Sequence, residues 1–238
     1  MKKIIYLFFT ALTIVTMISC QNKTVKDNKL TREEKKQGWR LLFDGQTLNG
    51  WRPYLHNITA TWVVEDGTLK GLGKGSDSTG YIISEDQFEN FELKLEWKIA
   101  PRGNSGILYM VVEDPAYKTP YETGPEYQVI DDLGWPDPLE EWQKTGANYA
   151  MHVAKNKELK PVGGWNTAAI LVNNGHVEHW LNGIKVVEYE LWTDEWKELV
   201  ANGKWKDYPA YGLSRKGRLV LQDHGSNVWF KNIKIREL

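Results

Sequence analysis

Phe91-Glu92-Leu93-Lys94-Leu95-Glu96-Trp97-Lys98-Ile99 alternates apolar and charged side chains without a break. Successive side chains of an extended chain point to opposite faces, so this stretch predicts a strand with one dry and one wet face. The same pattern continues on both sides. Residues 61–65 and 68–71 flank Asp66-Gly67, a two-residue hairpin signal. Residues 168–172, 177–181 and 184–189, separated by Asn173-Asn174-Gly175 and Asn182-Gly183, predict a three-strand meander. Residues 218–222 and 228–235 predict a closing hairpin. Two short helices interrupt the strands. One follows the capping box Thr31-Arg32-Glu33-Glu34 and stops at Gly38; the other starts at the cap Thr193, carries Asp194 and Glu195 in its first turn and ends at Gly203. Many short, closely spaced strands without alternating helices point to a single all-β sandwich or barrel rather than an α/β fold.

The ends place that domain. Met1-Lys2-Lys3, an apolar run over 4–18 and Ser19-Cys20 have the order of a signal peptide, and the run is too short for the roughly 20 residues of a bilayer span. Cys20 is the only cysteine of the chain and follows Met17-Ile18-Ser19, which resembles a lipobox. The expected organisation is a signal peptide over 1–19, a lipidated Cys20 with a polar tether over 20–30, and one domain over 31–238. Membrane contact would then run only through the lipid on Cys20, in the bacterial cell envelope. A lone cysteine allows no disulfide framework, so the domain holds together by burial. A net charge of −1 on a mixed surface argues against nucleic acid as a partner. Twelve Trp and eleven Tyr supply flat apolar faces with polar edges, suited to a β-core and to stacking on sugar rings.

Chemistry is expected where polar residues repeat at period two on one face of a strand. In Glu126-Tyr127-Gln128-Val129-Ile130-Asp131-Asp132, Glu126 and Gln128 share a face opposite Tyr127 and Val129. In Leu219-Val220-Leu221-Gln222-Asp223-His224-Gly225, Gln222 and His224 share one with Val220. Asn104-Ser105-Gly106 sits at the mouth of a further strand, where turn chemistry alone accounts for the Asn and Gly. His179 falls on the face of Val177 and Leu181, the pattern of a core histidine, while Glu178 and Trp180 point the other way. No HExxH, Cys-rich cluster or helical histidine pair signals a metal site, although separate strands could assemble one.

Taken in order, Gly38-Trp39-Arg40-Leu41-Leu42-Phe43-Asp44-Gly45, Leu48-Asn49-Gly50-Trp51, Asn104-Ser105-Gly106, Glu126-Tyr127-Gln128-Val129-Ile130-Asp131, Gly164-Trp165-Asn166, His179-Trp180-Leu181-Asn182-Gly183 and Leu221-Gln222-Asp223-His224-Gly225 resemble the 3-keto-disaccharide hydrolase family, over essentially the whole domain. The sequence departs from that pattern at Gly163-Gly164, where an acidic residue is common, and at Lys231, where Arg is usual. The resemblance implies a concanavalin-like jelly-roll sandwich of two antiparallel sheets with short peripheral helices and a site on the concave face. It also implies hydrolysis of 3-keto-glycosides or 3-keto-disaccharides by removal of the C2 proton, elimination of the C1 substituent and hydration. A base, an oxyanion stabiliser and a proton donor are then required. Under this reading His224 is the base, Glu126 and Asp131 are acids or metal ligands, and Asn104, Gln128, Gln222, His179 and Trp180 grip the sugar. A divalent cation held by Glu126, Asp131 and His224 would serve as Lewis acid; no other cofactor is implied.

Two other readings stay open from the residues. A glucanase of ordinary type needs two carboxyl groups flanking the bond, and here Gln128 stands where the middle acid would be. A non-catalytic sugar-binding lipoprotein would use the Trp and Tyr side chains as stacking platforms.

Overall fold

In a computed structural model, the structure describes residues 26–57, 60–76 and 79–238. The strands in chain order are β1 (Arg40–Leu41), β2 (Trp51–Pro53), β3 (Trp62–Glu65), β4 (Thr68–Leu72), β5 (Tyr81–Ser84), β6 (Phe91–Ile99), β7 (Asn104–Val111), β8 (Glu126–Ile130), β9 (Asn166–Asn173), β10 (His176–Leu181), β11 (Ile184–Glu190), β12 (Arg218–Gln222) and β13 (Asn227–Glu237). Among the described residues two α-helices, α1 (Arg32–Lys36) and α2 (Asp194–Asn202), lie outside the sheets. Both start where the caps demand: Thr31 closes a capping box with Glu34, and the Thr193 hydroxyl accepts from the Trp196 N–H.

The strands form two antiparallel sheets. The larger runs β11-β10-β9-β6-β13-β4-β3, with β1 added beside β13, and the smaller runs β2-β5-β12-β7-β8. The core lies between them. β6 sends Phe91, Leu93, Leu95, Trp97 and Ile99 inward and its charged residues outward, so the nine-residue alternation sets the dry face of the larger sheet. Every residue of β8, in contrast, is buried, because a later segment covers the outer face of the smaller sheet there.

Residues 218–222 and 228–235 do not form the expected hairpin. β12 pairs with β5 and β7 in the smaller sheet, and β13 pairs with β6, β4 and β1 in the larger one. The link 223–226 therefore crosses from one sheet to the other. Two apolar strands and a turn glycine read alike for a hairpin and for such a crossing, since both bury alternate residues. Asp223 fixes the crossing: its fully buried carboxylate accepts from the N–H groups of Lys74 and Gly225. Burial is the largest influence on that carboxyl and pushes its pKa up, against the downward pull of the backbone N–H donors.

The expected tether also ends earlier than 30. Asp27 pairs with Lys231, and Asn28 is buried against a bulge in β13, where inward positions shift from Val228 and Phe230 to Ile233 and Ile235. Asn28 and Asn232 exchange hydrogen bonds there (2.6 and 2.9 Å), and the Asn28 amide donates to the Gly67 carbonyl. A bulge leaves ladder groups unpaired, and this asparagine satisfies them, which draws the chain from Asp27 onward into the domain. The expected signal peptide and Cys20 lie outside the described residues.

Candidate functional site

The outward face of the smaller sheet divides into an apolar and a polar half. Tyr54, Tyr81, Ile83, Leu108 and Val220 pack together as a small satellite core on one half. On the other, Asn104 from β7, Glu126 and Gln128 from β8, Gln222 from β12 and His224 from the sheet crossing line a pocket of about 150 Å³. Its opposite wall is Tyr121, Tyr149, Lys204, Trp205 and Tyr208. Period two accounts for the polar set: Gly106 lies opposite Gln128 and Leu108 opposite Glu126 in the β7–β8 register, so these outward positions share one surface.

Gly106 lets Glu126 lie down on that surface. A Cβ at residue 106 would sit 1.9 Å from Glu126 Oε1, so the carboxylate occupies the space that any other residue's side chain would fill. Glu126 is only 7 % exposed. Beneath it, the buried Tyr211 hydroxyl has no hydrogen-bond partner among the described residues. Its pKa is held well above the usual phenol value, chiefly by burial, then by neighbouring Tyr189 and by the charge of Glu126.

The amide of Asn104 contacts His224 Nδ1 at 2.6 Å, and the other end of that amide, Oδ1, is buried without a partner among the described residues. The two amide orientations assign opposite tautomers to the ring. With the amide nitrogen toward the ring, Nδ1 accepts. With the oxygen toward it, Nδ1–H donates, the buried oxygen is satisfied, and the imidazole keeps its basic lone pair on Nε2. Gln222, which also lines the pocket, donates to the Tyr81 hydroxyl (3.1 Å).

Over residues 38–236 the chain matches the model of the 3-keto-alpha-glucoside-1,2-lyase-like domain. It belongs to that family. A 3-keto-disaccharide hydrolase of Bacteroides thetaiotaomicron is 35 % identical over 228 residues, spanning 84 % of this chain and 79 % of the relative. A candidate glycosyl hydrolase from Parabacteroides distasonis superposes with a TM-score of 0.84 at 47 % identity, over 90 % of this chain and all of that one. The CBM66 carbohydrate-binding module of Bacillus subtilis, 13 % identical with a TM-score of 0.52 over 79 % of this chain and 96 % of its own, shares the fold. The all-β jelly roll read from the strand pattern is thus the fold of this family member.

Within it, Glu126, Gln128, Asn104, Gln222 and His224 come together, and Asp131, His179 and Trp180 do not join them. Asp131 stands past the end of β8, and its carboxylate accepts from the N–H groups of Arg102, Leu133 and Gly134 at 2.8–3.3 Å. It ties two loops, so the donor set Glu126, Asp131 and His224 does not assemble around one point. His179 is fully buried between the sheets. Its Nδ1–H donates to the Gly146 carbonyl (3.0 Å), its Nε2 accepts from the Tyr109 hydroxyl (2.8 Å), and Tyr189 donates to Tyr109 (2.5 Å). Burial holds this ring neutral, with its pKa depressed to about 3. Trp180 lies on the outer face of the larger sheet, its indole N–H on Glu178.

That face carries a larger groove, about 530 Å³, along β6, β9 and β10. Its charges are already engaged with one another: Lys94 with Glu92, Asn232 with Glu96, and Lys185 with Glu178. His176, Glu178 and Glu188 also approach one another within 4.8 Å there, and the Lys185 amine sits between the two carboxylates at 3.1 and 2.8 Å. Size alone would favour this groove, but the acid, the imidazole and the three carboxamides that the strand pattern marks converge on the smaller pocket.

Sequence reasoning missed the aromatic wall. Tyr149, Lys204, Trp205 and Tyr208 lie in irregular segments, where no period marks a face.

Proposed function

We propose that this family member hydrolyses 3-keto-glycosides by elimination and hydration in the pocket of Glu126 and His224. The convergence of one acid, one imidazole and three carboxamides on a single small pocket carries this reading. A ketone at C3 acidifies the C2 proton, and His224, with Asn104 on its Nδ1, takes it. The C2–H electrons pass into an enolate. As the enolate collapses to an enone, the C1–O bond breaks and Glu126 gives a proton to the departing oxygen. Water adds at C1, C2 regains a proton, and the net result is hydrolysis. Gln128 and Gln222 hold ring hydroxyls while the aromatic wall covers the sugar face.

Two observations favour this route over ordinary glycosidase chemistry. Among the described residues lining the pocket, Glu126 is the only carboxylate, whereas retaining and inverting glycosidases each use a pair. The pocket is also smaller than the roughly 300–1,000 Å³ typical of sites for larger ligands, which suits a terminal ring over a polymer.

The test is release of a chromogenic aglycone from a 3-keto-glucoside and from its unoxidised parent. Turnover of the keto compound alone is expected, with Glu126→Gln and His224→Ala each lowering kcat by about 10²–10⁴-fold. Full turnover in either variant overturns the assignment of that residue, and sugar binding without turnover in the native protein points to a lectin-like role. The sequence further supports export and lipid anchoring at Cys20. Incorporation of labelled fatty acid, abolished in Cys20→Ser, checks that placement.

A further inference from the structure

Elimination through C2 needs one group that the residues above do not provide, a donor able to hold negative charge on the C3 oxygen. We propose that Tyr149, backed by the Lys204 amine, is that donor; this rests on the elimination reading of the same pocket. Lys204 Nζ donates to the Tyr149 hydroxyl oxygen at 3.0 Å and lies 4.2 Å from the centre of the Tyr149 ring and 5.3 Å from that of Trp205. The Tyr149 hydroxyl is the group to which this amine donates, so its charge acts on the phenol. An ammonium bonded to the phenol oxygen polarises the O–H bond, and the tyrosine proton remains for an acceptor in the pocket.

The backbone fixes Tyr149 beside the acid. Its N–H donates to the carbonyl of Glu126 (3.0 Å), and its own carbonyl accepts from the Trp205 indole (3.3 Å). Trp142 packs edge-on against its ring at 5.5 Å. The phenol thus stands at a fixed place relative to β8, on the wall facing the polar floor. A preorganised donor of this kind acts on charge that develops only in the transition state, so it enters kcat more than KM. Of the described lining residues, Lys204 is the only lysine or arginine, and Tyr149 is the hydroxyl it contacts.

In the step itself the base takes the C2 proton, the C2–H pair forms the C2=C3 bond, and the carbonyl pair moves onto O3. There it is held by the Tyr149 O–H until the carbonyl re-forms and C1–O breaks. No oxidant or further reactant enters.

The experiment separates this step from cleavage. A C3-oxidised 1,5-anhydro sugar has no leaving group, so its C2–H exchange in D2O, followed by proton NMR, reports enolisation alone. Tyr149→Phe is expected to slow C2 exchange and kcat on a 3-keto-glucoside together by about 10²-fold, with KM changed by less than about threefold. Lys204→Met is expected to slow both by about tenfold and Lys204→Arg, which keeps the charge, to restore most of the rate; the amine is on the surface, so neither change threatens folding. Native-rate exchange in Tyr149→Phe, or a loss confined to KM, overturns the proposal and leaves the elimination route standing. Absence of C2 exchange and turnover in the native protein overturns both.

Discussion

At the scale of single residues, the distance between Gly106 and Glu126 makes the sharpest demand on the sequence. A methyl group at residue 106 would sit 1.9 Å from Oε1 of Glu126. The atom in the way is the end of a flexible side chain, so Gly106→Ala is expected to swing the carboxyl aside while the fold survives. The expected outcome is a loss of about 10²-fold or more in kcat, with a change in unfolding free energy of no more than about 1 kcal/mol. Steady-state kinetics beside urea unfolding checks both halves. This residue pair also marks what the sequence revealed of the site. Glu126 and Gln128 were legible because they repeat at period two within a strand whose other residues are apolar. Asp131 entered through the resemblance alone; it lies past the strand end, where the period no longer governs direction, and its carboxylate caps a turn. His179 matched its expected core pattern and is held there by Gly146 and Tyr109 rather than by a sugar.

At the scale of elements, α2 and the segment after it build the pocket wall. His152, Tyr189, Trp196, Tyr211 and Trp205 stack in a column, with successive ring centres 4.5, 5.4, 5.7 and 4.5 Å apart and interplanar angles of 11° or less. The column starts against β11, passes through α2 at Trp196 and ends at Trp205 in the wall. Its members come from separate parts of the chain, so local periodicity could signal none of it, whereas the two caps of α2 were readable from Thr193 and Gly203. Trp196→Ala removes the central ring and is expected to cost about 3–5 kcal/mol of stability. Tyr211 and Trp205 then lose their support, so KM for a keto-sugar should rise more than kcat falls. Chemical denaturation with parallel kinetics checks this, and an unchanged KM would mean that the wall stands without the column. The sheet crossing at 223–226 taught the same lesson in reverse: the strands were read correctly, but only long-range pairing decides which sheet each joins.

At the scale of the whole molecule, one buried and one half-buried imidazole set how the fold responds to acid. Burial depresses the pKa of His152 to about 4 and that of His179 to about 3, while in an unfolded chain both titrate near 6.5. The folded pKa values lie below the unfolded ones, so each ring contributes stability that is complete above pH 6.5 and is lost as pH falls toward the folded value. Between about pH 6 and 4.5 unfolding takes up as many as two protons, a slope of at most about 2.7 kcal/mol per pH unit. Carboxylates held below their usual range by partners, such as Glu113 on Arg52 and Asp27 on Lys231, enter only at lower pH. Two groups work the other way. His176 is raised by Glu190, so its contribution is full below pH 6.5 and fades as pH rises, and burial raises Asp223, which opposes the loss at the acid end. The net expectation is a stability that falls steeply below pH 6 although the net charge is near zero. His179→Leu should flatten that slope by close to one proton, about 1.4 kcal/mol per pH unit, while lowering stability at pH 7.5, because the Tyr109 hydroxyl and the Gly146 carbonyl lose their partner. Urea titrations at pH 7.5, 6 and 5 decide it. A variant with the native slope would show that the ring between the two sheets is not the group that acid unfolding must protonate.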